Sequence, residues 1–120
     1  MDAGRPAVPA AEDRAESVVD ELVEESAGLR ACAVIAAGGE VLAATDPNDW
    51  AEQAGRLWQA AADPSRPAPA YVHVAIDAGE LFAVRSKDAT VIAIADRFSL
   101  ASLVLCDLRA ALRRLAPAAA

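Results

Sequence analysis

The run Leu29–Ala44, LRACAVIAAGGEVLAA, decides the fold. Its first nine residues, Leu29–Ala37, are short and apolar on both faces, as a central strand covered from each side must be. Gly38-Gly39 follows; both residues accept positive φ, so the pair reads as a two-residue hairpin turn. Glu40–Thr45 is then the return strand. A hairpin that is apolar on both faces needs a layer above it and a layer below it, and the flanking sequence provides helices for both.

Upstream, from Ala11, the apolar residues take a helical spacing. Ala15, Val18, Val19, Leu22, Val23 and Ser26 form one stripe, with Asp20, Glu21, Glu24 and Glu25 outside it. Glu12, Asp13 and Glu16 complement the dipole of the first turns, and Gly28 reads as a left-handed cap. Downstream, Asp46-Pro47-Asn48-Asp49 reads as a helix start, with Asp46 as the cap and proline at the first helical position. That helix is expected to run to about Ala62, with Trp50, Ala54, Leu57, Trp58 and Ala61 inward. The segment Asp63–Pro69, DPSRPAP, stops it.

Three strands are expected next. Tyr71–Asp77 alternates, with Val72, Val74 and Ile76 on one face and Tyr71, His73 and Ala75 on the other. Glu80–Arg85 and Thr90–Ala95 follow after short turns. A last helix, Ser99–Leu115, places Leu100, Leu103, Val104, Leu108, Ala111, Leu112 and Leu115 inward, loads its C-terminal end with Arg109, Arg113 and Arg114, and is closed by Pro117. The order is α-β-β-α-β-β-β-α: an α+β sandwich, five antiparallel strands with helices on both faces. Residues 1–10 are expected to be a disordered lead, 11–116 a single domain and 117–120 a frayed tail.

Composition agrees with one modest core. Of 120 residues 55 % are hydrophobic, but 32 of them are alanine, and Val, Leu, Ile and Phe supply 28 positions. The formal charge of −7 argues against nucleic acid as a partner and against direct binding to an anionic membrane. Met1–Arg14 contains no apolar leader, and the longest apolar runs are far shorter than the roughly 18 residues of a membrane span, so a soluble cytoplasmic protein is expected. Cys32 and Cys106 sit in apolar runs without Cys-x-x-Cys or Cys/His spacing. This pattern predicts free thiols, no metal site and no cofactor.

No catalytic constellation emerges. His73 is the only histidine and lies in mid-strand, Asp46 and Asp49 are accounted for by helix capping, and Gly38-Gly39 lacks the lysine and spacing of a phosphate loop. The reading is therefore of a non-enzyme.

The element order and several local motifs resemble the roadblock/LC7 family. Val19-Asp20-Glu21-Leu22 through Gly28-Leu29-Arg30 is similar to that family's first helix ending in "PGV". Ala33–Ala44 is similar to its "A-V-V-x-x-D-G-x-V-L-A" hairpin, with Gly38 where many members carry Asp. Gly79–Val84 and Thr90–Ala95 are similar to its later strands. The resemblance covers roughly residues 12–115. It implies a profilin-like fold, and a homodimer joined through the third strands with the second helices packed together. It also implies regulation or scaffolding of a small Ras-like GTPase, as in the bacterial MglB type, without a catalytic residue of the regulator's own.

On the second helix, Ala51, Gly55 and Ala62 place small residues beside Trp58, and these four are expected at the dimer interface. Tyr71, His73 and Ala75 join them, because their strand has a hairpin partner on one side only. Two-fold pairing would bring two His73 imidazoles near the axis, where imidazolium ions would repel. Glu52, Arg56 and Gln59, off the apolar stripe, are expected to rim the GTPase-binding surface. Arg56 invites comparison with an arginine finger, but an arginine on a helix of an acidic protein reads more simply as a solvated or paired charge. The alternative class is a small-molecule sensor or structural module of PAS or GAF type; the inward Ala, Val and Leu positions argue against it.

Overall fold

The computed structural model describes residues 11–115. The expected lead over 1–10, the end of the domain at residue 116, the Pro117 stop and the tail over 117–120 lie outside the described residues. The elements are α1 (Ala11–Glu25), β1 (Leu29–Ala36), β2 (Val41–Ala44), α2 (Trp50–Ala61), β3 (Tyr71–Ile76), β4 (Gly79–Arg85), β5 (Ala89–Ala95) and α3 (Ala101–Leu115). The strands form one antiparallel sheet in the order β2-β1-β5-β4-β3. The expected α+β sandwich with helices on both faces is the architecture observed.

Strand alternation sorts the core into two layers. On one face, α1 and α3 contribute Val18, Val19, Leu22, Val104 and Leu108, which cover Cys32, Val34, Phe82, Val84 and Val91. On the other, α2 lays Trp50, Ala54 and Leu57 over Ala33, Ile35, Leu81, Ala83 and Ile92. Trp50 fills the space that the alanines leave, and its indole N–H donates to the Asp46 carbonyl at 3.1 Å. The polar Ser26 is buried at the end of the α1 stripe, where its hydroxyl donates to Asp107 Oδ2 at 2.8 Å. Val23, expected in that stripe, is exposed instead.

Three turn and cap expectations need correction. The β1–β2 connection is a four-residue loop, 37–40, and not a two-residue turn; only Gly39 takes a positive φ, 98°. A register shift between Val34 and Ile35 accommodates the extra length. The second helix begins at Trp50, and Asp49 occupies the cap position without a side-chain bond to the helix. Asp46 is not the cap, because its carboxylate accepts the Thr45 hydroxyl at 2.9 Å while its carbonyl holds Trp50. The last helix starts at Ala101, and Leu100 and Leu103 are exposed, not inward. Leu100 precedes the helix, and Leu103 lies about 100° around it from the buried Val104, off the stripe formed by Val104, Leu108, Ala111 and Leu115.

Glycine is required at two close approaches. Gly28 ends α1 with φ of 82°, and a Cβ there would lie 2.7 Å from Ser99 Oγ. Gly79 opens β4 with φ of 144°, and a Cβ would collide with the Ala95 carbonyl. Gly79→Ala is expected to lower unfolding stability by about 3 kcal/mol or more, against less than about 1 kcal/mol for Gly38→Ala, which meets open space; urea titration compares them.

Both cysteines are free thiols; Cys32 is buried beneath α1 and Cys106 is exposed on α3. Burial, reinforced by the negative charges of Asp20 and Asp46, pushes the Cys32 thiol up to about 12. The reactive thiolate of Cys32 is therefore absent near pH 8. Native protein should lose one thiol to iodoacetamide quickly and the second only after unfolding. Two thiols reacting at the same rate, or none reacting after unfolding without reductant, would contradict this.

Candidate interaction site

β3 is an edge strand, paired with β4 on one side and with no described strand on the other. The two-residue turn Asp77-Ala78 sets its register, placing Tyr71 opposite Val84, His73 opposite Phe82 and Ala75 opposite Glu80. Since Phe82 and Val84 belong to the core under α1 and α3, Tyr71, His73 and Ala75 stand on that face of the sheet. Val72 and Ile76 pack on the α2 side.

His73 has more partners than a solvated histidine. Its ring stacks on Phe82, with centroids 4.1 Å apart and planes 10° from parallel, and its Nε2 lies 2.6 Å from Glu80 Oε1. Glu80 is thus an acidic partner of His73 within its own protomer. Tyr71 lies under the Arg109 guanidinium of α3, 5.2 Å from the ring centroid.

The α2 residues divide by helical angle into three strips. Trp50, Ala54 and Leu57 face the sheet. Glu52, Arg56 and Gln59 are exposed on the side away from it, with Glu52 and Arg56 joined as an i, i+4 ion pair. Ala51, Gly55 and Trp58 run along the flank between these two strips; the helix ends at Ala61, so Ala62, expected on it, is an exposed cap residue with extended backbone. Ala51, Gly55 and Trp58 line a groove of about 310 Å³ with Ile35, Arg85 and Lys87. Nothing lies within 4 Å of where a Gly55 side chain would begin. Trp58 is half-buried beneath the Arg85 guanidinium, 4.0 Å from its ring centroid, and its indole N–H has no hydrogen-bond partner among the described residues.

The residues expected at a dimer interface thus fall into two groups. Ala51, Gly55, Trp58 and Ala62 lie on the α2 side of the sheet; Tyr71, His73 and Ala75 form a row on the opposite face. The Glu52, Arg56 and Gln59 trio does gather on one outward surface. Sequence reasoning missed Glu80, Arg85 and Arg109, the side chains that hold His73, Trp58 and Tyr71. Glu80 was legible in principle, because moving the turn by one residue to Asp77-Ala78 sets it diagonally across from His73. Arg85 and Arg109 carried no local signal.

Among the described residues no three His, Cys, Asp or Glu side chains converge where a metal ion could sit, and no helix is long and apolar enough to cross a membrane. His73 and Glu80 form one acid–base pair, and no nucleophile among the described residues contacts it.

No model of a protein family matches the chain, and no curated protein matches it. Solved structures do. A roadblock/LC7 domain from Streptomyces avermitilis superposes with a TM-score of 0.70 at 15 % identity, over 82 % of this chain and 91 % of its own. Myxococcus xanthus MglB gives 0.70 at 12 % identity, over 92 % of this chain and 90 % of its own. The gliding protein mglB from Thermus thermophilus gives 0.67 at 20 % identity, over 91 % of this chain and 90 % of its own. At such identities the backbone arrangement is what is shared, and it is shared over nearly the whole length of both partners: the chain has the fold of the roadblock/LC7 domains.

Proposed function

We propose that this chain is a non-catalytic, homodimeric regulator or scaffold that binds a small Ras-like GTPase through the outward face of α2. The observation that carries the reading is the state of α2. Its Glu52, Arg56 and Gln59 are exposed together, beside a glycine with open space around it, in a fold shared with MglB structures. A helix interior tolerates glycine at a cost of about 0.5–1 kcal/mol, so Gly55 calls for a compensating reason, and close approach of a second helix is one. The unpaired edge of β3 supports self-association independently, since its free N–H and C=O groups accept another strand. Arg56, exposed on α2 and paired with Glu52, is read as a surface contact and not as a catalytic group, as a solvated charge on a helix of an acidic protein ordinarily is. The sensor reading has less support: both inner faces of the sheet are filled by side chains at or near zero exposure.

Sedimentation at tens of micromolar is expected to show a dimer, and a monomer would remove that part of the reading. Immobilised protein should capture a Ras-like GTPase from lysate loaded with a GTP analogue. Arg56→Ala and Gln59→Ala should each weaken that capture up to about tenfold, or 1.4 kcal/mol, while changing stability by less than about 0.5 kcal/mol. If Arg56→Ala instead abolished GTPase stimulation and left binding intact, Arg56 would be catalytic and the non-catalytic assignment would fall.

A further inference from the structure

Three large apolar side chains stand in water at one end of the molecule: Phe98 is 91 % exposed, Leu100 66 % and Leu103 58 %. With Val104 they form one wall of a cleft of about 430 Å³. The opposite wall is the end of α1 and the turn after it, Glu25–Gly28, and Asp96 and Asp107 complete the lining. Grouped exposure of this kind marks interaction surfaces on soluble domains. This cleft lies on the α1/α3 side of the sheet, away from α2, so it is separate from the surface proposed above.

The loop that carries Phe98 is built rather than slack. Its left-handed φ of 74° is disfavoured for a bulky residue and is held from several directions. The Phe98 N–H donates to Glu80 Oε2 at 3.2 Å, the same carboxylate that meets His73. Arg97 Nη2 donates to the Ile76 and Asp77 carbonyls at 3.4 and 3.2 Å. Ser99 donates its N–H and its hydroxyl to the Asp96 carbonyl, and Asp96 N–H donates to the Gly28 carbonyl at 2.7 Å. Strain over-determined by its surroundings points to function, and here it presents an aromatic ring outward.

Charge selects the occupant. Among the described residues Glu25 makes no ion pair, and Asp107 bonds only the Ser26 hydroxyl. The nearby bases are engaged, Arg30 with Asp96 and the Ala78 carbonyl, and Arg97 with two carbonyls. We propose that the cleft docks a basic amphipathic segment of a partner protein, its apolar residues against Phe98, Leu100 and Leu103 and its Lys or Arg against Glu25 and Asp107. A second copy of this chain fits poorly, because an isologous contact would set these carboxylates against themselves.

The test uses two fluorescein-labelled 18-residue helical peptides with leucines at the same spacing, one otherwise lysine and one otherwise glutamate. Their binding to the full chain is followed by anisotropy. The Leu–Lys peptide should bind, the Leu–Glu peptide should not, and Phe98→Gly, Leu103→Ser and Glu25→Lys should each weaken binding at least tenfold. Phe98→Gly suits the left-handed backbone, so an unchanged thermal midpoint separates loss of the ring from loss of the fold. Arg56→Ala should leave peptide binding unchanged, which keeps this result independent of the GTPase reading. Equal binding of both peptides, or undiminished binding to Phe98→Gly, would overturn the proposal. So would a Phe98→Gly variant that sediments as a smaller species than the parent, since a second copy would then occupy the cleft.

Discussion

The pairing of β1 with β5 is the constraint on which the rest of the domain depends. These two strands sit side by side in the middle of the sheet, and their side chains pass alternately into the two cores. Arg30 apart, neither strand carries an exposed residue, so each helical layer must be present for the other to be useful. Alanine makes the arrangement possible. Ala33, Ala83, Ala93 and Ala95 are fully buried and let the helices lie close to the sheet, which leaves Trp50 and Phe82 as the large fillers of the two layers. Truncating Trp50 would remove most of what α2 inserts, a change that typically costs about 3–5 kcal/mol in a core.

The same physics explains what could and could not be read in advance. The apolar run Leu29–Ala37, the helical stripe Ala15–Leu22 and the lone hairpin partner of Tyr71–Ile76 are local patterns, and they led correctly to a covered central strand, a packed first helix and an edge. Errors arose where a single tertiary contact outweighed the local signal. The indole of Trp50 takes the Asp46 carbonyl, the residues 45–48 fold as a bend, and the expected cap is occupied otherwise. Leu100 and Leu103 are as apolar as the stripe of the last helix, yet the helix starts only at Ala101 and its buried stripe runs through Val104, Leu108, Ala111 and Leu115, which leaves Leu103 about 100° off it. The α2 face was legible as a strip of polar residues. That its small residues and the β3 row would fall on opposite faces of the sheet was not, because strand parity relative to the helix layers depends on the full pairing.

Two kinds of surface therefore coexist on a small acidic domain. One is polar and outward on α2, beside a groove walled by Trp58 and Arg85. The other is apolar and acidic at the junction of α1 and α3. Glu80 connects the second surface to the sheet edge, since its two carboxylate oxygens meet His73 on β3 and the Phe98 backbone. Glu80 thus ties the β3 edge to the Phe98 loop through one side chain and two hydrogen bonds.

The position of β1 also bears on how the chain reaches its fold. β3, β4 and β5 follow one another through short turns and pair with their sequence neighbours, a meander that closes with little loss of loop entropy. β1 is synthesised long before its central partner, and the intervening residues must all emerge before Val34 finds Val91. Until then β1 can meet α1 and α2 on its faces, but its inner edge is unpaired and α3 is missing, a state prone to self-association during refolding. A chain truncated before Ala89 would keep α1, the hairpin and α2 but leave the inner edge of β1 open and remove α3 from the core, so the sheet's interior order makes the domain indivisible.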